Sequence, residues 1–309
     1  MQFITNFYTV FVQVLILFIF MGIGFIGEKK KLISLEGSKV ISDIILYFVT
    51  PCLIINSLNI EFDRAKLTGL VICLIAFLTI QILSALLATF IFKSKENKST
   101  GVLRFAIVFS NVGYMGIPLQ KAVLGDEGVF FGSVCVAVFN IFIWTYGIIC
   151  MSSNKKQMSV KKLILNPGII AVTIGLVLFI FSIKLPSPIS SAVGSMASLN
   201  TPLAMMVIGF NLSRSNLLSA LKDKRVYLVA FLRLILIPMI SLFVLLALGL
   251  RGTLLISIII AASAPVAAAT TVFSVKFEKD TELSVKLVAF STLLSIITMS
   301  AIVALAQLF

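Results

Sequence analysis

The sequence predicts an all-α integral membrane protein of ten transmembrane helices. They form two inverted five-helix repeats in which the fourth and ninth helices are broken and cross near the bilayer midplane. Composition, the alternation of basic loops and a repeated set of intramembrane prolines carry this expectation. Of 309 residues, 60% are apolar and 12% charged, and mean hydropathy is +1.14; a soluble domain carries roughly 25% charge. A spanning helix needs about 20 mostly apolar residues, so ten spans fill the chain and leave only connections. There is no His, which removes imidazole ligands and every His-dependent triad or zinc motif. No enzyme, metal site or cofactor is expected.

The first apolar run, residues 7–27, has no basic residue before it and ends at Glu28, Lys29, Lys30 and Lys31. A signal peptide has the reverse charge order and a shorter apolar core, so this run is read as a membrane helix. The others fall at 38–58, 67–92, 102–124, 128–151, 163–183, 190–212, 226–249, 252–276 and 283–308, separated by short polar or Gly/Pro-containing links. The odd-numbered loops hold 19 Lys and Arg, the even-numbered loops 5, and Arg233 lies inside the eighth run. Cytoplasmic loops carry such an excess, so both termini are expected outside the cytoplasm, in the cell (plasma or inner) membrane. The net charge of +13 then reports topology, and no nucleic-acid partner is implied. Cys52, Cys73, Cys135 and Cys150 sit in or at the ends of apolar runs without CxxC spacing and read as small core residues, with no disulfide or metal role.

Pro51 and Pro118 lie in the second and fourth runs, 67 residues apart, and Pro202 and Pro265 in the seventh and ninth, 63 apart. Thr50-Pro51 and Thr201-Pro202 each continue to an Asn, Asn56 and Asn211. Five helices per half make the second copy enter from the opposite side, an inverted repeat of the kind found in transporters. The division is 1–151, a short cytoplasmic linker 152–162, and 163–309. In the fourth run, Ser110-Asn111-Val112-Gly113-Tyr114-Met115-Gly116-Ile117-Pro118 is a poor continuous helix, because Pro removes a donor and Gly eases irregular dihedrals. A break at membrane depth is tolerated where it is buried or lines a cavity. Ser263-Ala264-Pro265, followed by small residues to Thr271, is its match. The simplest assembly crosses the two breaks at Pro118 and Pro265, with half-helix N-termini, which favour anions, pointing inward.

Ser110 to Leu119 with Gly125, Arg233-Leu234 to Pro238, and Ala264-Pro265 through Ser291-Thr292-Leu293-Leu294-Ser295-Ile296-Ile297-Thr298 resemble the auxin efflux carrier family, the plant carriers and their bacterial relatives. The resemblance covers essentially the whole chain. It implies a fold like that of bile acid/sodium symporters, with a scaffold and a transport domain moving as an elevator. Cargo would be a small organic anion, auxin-like or a mono- or dicarboxylate such as malate or malonate. By position it implies that Asn111, Pro118 and Pro265 contact substrate, with Gly116 in the same break and Asn56 and Ser57 completing the wall. Two departures matter. The link between the halves is short where plant carriers have a long hydrophilic loop, and the third run offers Thr79, Gln81 and Ser84 in place of the plant Asp and Lys.

Asn111 can satisfy freed carbonyls or donate to a substrate carboxylate; the second reading is preferred for its place beside a break. Arg233, about 12 Å into its helix, can snorkel to the interface, pair with a carbonyl, or meet cargo. Asp43 is kept as a candidate for a coupling proton. Glu278, Asp280 and Glu282, interleaved with Lys276, Lys279 and Lys286, read as a solvated loop. The hydroxyls of Ser291, Thr292, Ser295 and Thr298 satisfy neighbouring helices or, in a symporter-like member, coordinate Na+. The expected function is a secondary active transporter, coupled to H+ or Na+ or to neither, with the bilayer and a homodimer partner as further contacts. The competing reading is a ligand sensor that transports nothing. A channel is disfavoured by the lack of charged rings, and no P-loop is present.

Overall fold

The computed structural model describes residues 2–93, 98–152, 161, 164–215 and 217–309. Most of the expected linker 152–162, with Lys155, Lys156 and Lys162, lies outside the described residues, as does Lys95. The described chain is helical, and its one β-type pairing is the bridge between Ser110 and Val266. Apart from the short helix Leu217–Leu221, the helices in order are α1 (Gln2–Lys29), α2 (Leu35–Leu58), α3 (Arg64–Ile91), α4 (Lys98–Val108) and α5 (Val112–Met151). There follow α6 (Pro167–Ile180), α7 (Ser187–Ser213), α8 (Lys224–Ala247), α9 (Gly252–Ser263), α10 (Ala269–Lys276) and α11 (Thr281–Ala306).

Seven of these helices are long and apolar enough to cross a bilayer: α1, α2, α3, α5, α7, α8 and α11. The expected ten runs do not map one to one onto long helices, for physical reasons. The fourth run is split into α4 and the start of α5, and it joins the fifth through Gly125, whose φ of 67° and ψ of −148° suit glycine. The ninth is split into α9 and α10. Side chains such as Ile75, Leu86, Phe90, Ile240 and Phe243 stay exposed, far more apolar surface than a water-soluble monomer presents, as a bilayer solvent requires.

Prolines shape the helices without ending most of them. Pro51, Pro118 and Pro238 each follow a five-residue wide turn, Ile45–Val49, Val112–Gly116 and Leu232–Leu236. In each case the residue two after the turn is the proline, and the residue between donates its N–H five residues back: Thr50 to Ile45, Ile117 to Val112, Ile237 to Leu232. A proline cannot donate to the carbonyl four residues back and its ring clashes there; widening the turn relieves the clash.

Glycines let backbones touch. A Cβ at Gly24 of α1 would lie 2.0 Å from the Met206 carbonyl oxygen of α7, and one at Gly209 of α7 would lie 1.9 Å from that of Met21. Gly175 of α6 likewise packs against Leu58 of α2, where a Cβ would come within 2.4 Å of the side chain. The ends of α1 and α7 share one side, where Ser213 Oγ and Arg214 Nη1 donate to Glu28 at 2.9 and 3.3 Å. Elsewhere, the connection after α2 joins that after α6 through Asn59 Nδ2 to the Ile183 carbonyl (2.8 Å) and Lys184 Nζ to Glu61 (2.6 Å). The Lys184 ammonium holds the Glu61 carboxyl below its ordinary pKa, yet the pair is wholly exposed and screened.

Asp280 departs from the solvated-loop expectation. It caps α11 by accepting from Leu283 N–H at 3.0 Å, and its other oxygen accepts from Ser99 Oγ at 2.6 Å. The first turn of α11 needs an acceptor, and Asp280 supplies it while holding the start of α4. Ser99 Oγ in turn accepts from Arg225, which clasps Asp223 through two hydrogen bonds of 3.0 and 2.7 Å and holds that carboxyl below its usual range. The starts of α4, α8 and α11 are thus tied together. Asp280→Ala is expected to cost about 1–2 kcal/mol through the lost cap, read as a melting temperature several degrees lower in detergent, with Asp280→Asn close to wild type. Equal loss in both would show that the cap is not the source.

Candidate substrate site

The two breaks interlock. Phe109 to Asn111 links α4 to α5, with a tight turn at Asn111 (φ −77°, ψ 55°), and Ala264 to Ala268 separates α9 from α10. Asn111 N–H donates to the Pro265 carbonyl at 2.7 Å and Ala267 N–H to the Phe109 carbonyl at 2.9 Å, flanking the Ser110 and Val266 bridge. Ser291 Oγ of α11 accepts from Val266 N–H at 3.1 Å, so one of the hydroxyls expected to satisfy backbone does so. Phe105, Phe109, Phe139 and Phe273 pack beneath, with centroid separations of 4.2 to 5.6 Å. The break lies at the N-terminal edge of the Ser110–Pro118 segment rather than across it, because the wide turn keeps Val112–Gly116 helical. Pro265 is therefore in the crossing, whereas Pro118 sits seven residues along α5 from Asn111, about 10 Å away.

Both half-helices begin without a side-chain cap. Asn111 and Ala268 precede α5 and α10, and neither side chain accepts a hydrogen bond from the turn it opens. The start of each half-helix carries a partial positive charge, although in α10 the N–H groups of Thr270 and Thr271 turn back to the Ala267 and Ala268 carbonyls at 2.9 and 3.1 Å, and in α5 that of Val112 turns back to Ser110 at 2.8 Å. Asn111 is 4% exposed, and its Nδ2 has no partner in the described structure. Ser110 Oγ, Thr270 Oγ1 and Thr292 Oγ1 are buried and unpartnered in the same way. A buried polar group left unsatisfied costs about 1–3 kcal/mol; Asn111 Nδ2 can only donate, and the three hydroxyls can donate as well as accept, so a ligand rich in acceptors, such as a carboxylate, can satisfy all four. Gly116 lies in the wide turn, with its Cα face toward Ala261 of α9.

The remaining expected residues fall in two groups. Tyr114, also in the wide turn, has its hydroxyl beside Ser42 and within electrostatic reach of Asp43; Asp43 itself is exposed. Asn56 faces Gly194 of α7, at 3.7 Å from where a Cβ would stand, and Ser57 Oγ donates to its own helix at Ile54. The structure joins neither to the crossing by a hydrogen bond. Arg233 stays inside at 1% exposed. Its Nε donates to the Ala264 carbonyl and its Nη1 to that of Ile107, both at 3.2 Å, and Nη2 donates to the Ala262 carbonyl. Of the three readings open for this residue, the geometry is that of carbonyl pairing. The sequence alone assigns Ser110 and Thr270 no site role, although both are hydroxyls flanking the breaks. Cys73 and Cys135 Sγ atoms lie 3.6 Å apart, buried as free thiols.

An interlocked pair of broken, uncapped helices within a many-helix apolar bundle defines a multi-pass membrane protein with a buried polar centre. The chain matches the membrane transport protein family over residues 9–161 and again over 154–303. It belongs to that family, the one that contains the auxin efflux carriers, and is a transport protein rather than an enzyme. Among its relatives is an uncharacterized transporter of Methanocaldococcus jannaschii, 26% identical over 210 residues, 65% of this chain and 68% of the other. Another is an uncharacterized transporter of Methanothermobacter thermautotrophicus, 24% identical over 305 residues and 94% of each chain.

Proposed function

We propose that the protein is a secondary active carrier of a small organic anion, auxin-like or a mono- or dicarboxylate, bound at the crossing of the two breaks. The observation that carries this reading is Asn111: a buried amide donor without a partner, at the start of an uncapped half-helix. In α10 the buried, unpartnered polar side chain is Thr270, the second residue of the helix. Ten spans in two inverted repeats, 1–151 and 163–309, remain the preferred topology. It is supported by the family match falling once on each half and by reciprocal packing, α1 against α7 and α6 against α2. Elevator movement of the crossing past a scaffold of α1, α2, α6 and α7, with both termini outside the cytoplasm, completes the proposal.

The test is uptake of labelled malate into sealed liposomes, with auxin-like acids as competitors, under separately imposed potential, pH and Na+ gradients. Asn111→Ala removes one hydrogen bond to a charged group, worth roughly 1.5–3 kcal/mol, and is expected to lower uptake about tenfold or more without changing the melting temperature by much. Unchanged uptake in that variant would remove the site from the crossing. Saturable binding of an acid with no flux would replace the carrier with a sensor.

A further inference from the structure

Three main-chain carbonyls, Ile107 near the end of α4 and Ala262 and Ala264 at the end of α9, converge on one guanidinium. These are the C-terminal, partially negative ends of both broken helices. Oxygen ligands of that kind, unwound carbonyls and half-helix C-termini, are what discontinuous transporter helices offer to Na+. Among the described residues Arg233 forms no ion pair, and its guanidinium donates to helix-end carbonyls. We infer that Arg233 is a tethered cation filling an alkali-cation site at the crossing, and that the protein therefore binds no Na+ there.

The local fold places the charge. Arg233 is the second residue of the wide turn Leu232–Leu236 that Pro238 imposes on α8, and it is buried to 1%. A guanidinium keeps its proton and its planar fork reaches several carbonyls at once, so the site holds a fixed positive charge at any physiological pH. A second cation among the same oxygens would be repelled. This inference rests on the carrier reading and deepens it by excluding Na+ as the coupling ion at the crossing: the site supplies its own cation, and the positive charge stays with the protein through the cycle.

Heat stability of purified protein in detergent tests it without requiring transport. Wild type is expected to melt at the same temperature in NaCl and in choline chloride of equal ionic strength. Arg233→Ala is expected to melt lower in choline and to rise by about 5 °C in millimolar Na+ or guanidinium, the scale of a ligand near 100 times its Kd. Should Arg233→Ala yield no folded protein, Arg233→Met, which retains the packing of the stem, takes its place. Stabilisation of wild type by Na+ would overturn the inference, as would a folded Arg233 variant indifferent to every cation. In liposomes, wild-type uptake is expected to be unaffected by a Na+ gradient, and the variant to recover about tenfold with guanidinium. A protein that shows the cation rescue by heat but moves no organic acid would sink the carrier reading and leave this one standing.

Discussion

Gly209→Val is expected to leave no recoverable folded protein. A Cβ at this position would stand 1.9 Å from the Met21 carbonyl oxygen, and the reciprocal contact, Gly24 to the Met206 carbonyl, is 2.0 Å. Both obstacles are backbone, so no rotamer change relieves them; α1 and α7 must move apart along their shared length. Close approach through glycine is what holds membrane helices together where lipid is as apolar as the side chains. Overpacking a tight core typically costs about 1–3 kcal/mol and more when the backbone must shift, a large part of a marginal total stability. Size-exclusion chromatography of the detergent extract should lose the monodisperse peak. Gly22→Val is the control, since nothing lies within 4 Å of its Cβ position, and it should behave as wild type. A sharp peak and wild-type melting temperature for Gly209→Val would show that the two helices do not rely on this contact.

The sequence carries the parts of the fold that repeat. Apolar runs give helix positions to within a few residues, and the basic loops agree with the structure where Glu28 meets Ser213 and Arg214 on one side. The break in the ninth run is legible because Ala264-Pro265 cannot continue a helix. The break in the fourth run is displaced from its expected centre because a wide turn absorbs Pro118, and nothing in Val112–Gly116 distinguishes a widened turn from a broken one. The resemblance groups Asn56 and Ser57 with the crossing; the packing of α2 against α6 and α7 decides their neighbours, and that is a tertiary fact. Arg233 illustrates the same limit. Its depth in an apolar run marks it as paired or functional, but the carbonyls that receive it come from residues 126, 29 and 31 positions away. Thr270 and Ser110 are ordinary residues until burial without a partner singles them out.

Asn111→Asp is expected to move stability and transport in opposite directions. The residue opens α5 without capping it, and Asp is among the preferred residues at such a position, its carboxylate stabilised by the first-turn N–H groups and the helix dipole. The variant should therefore melt at or above the wild-type temperature. The same carboxylate faces the place assigned to the substrate anion. Two like charges about 4 Å apart repel by about 4 kcal/mol at an effective dielectric of 20, close to a thousandfold in affinity, so uptake should fall to background. Protonating the carboxyl removes the repulsion; uptake by the variant should recover as pH falls and vanish as it rises, relative to wild type measured at each pH. A smaller neutral residue that can still donate, Asn111→Ser, should lose far less. If Asn111→Asp transports an organic acid at the wild-type rate at neutral pH, the anion does not bind at the start of α5, and the polar groups left unpartnered there serve another purpose.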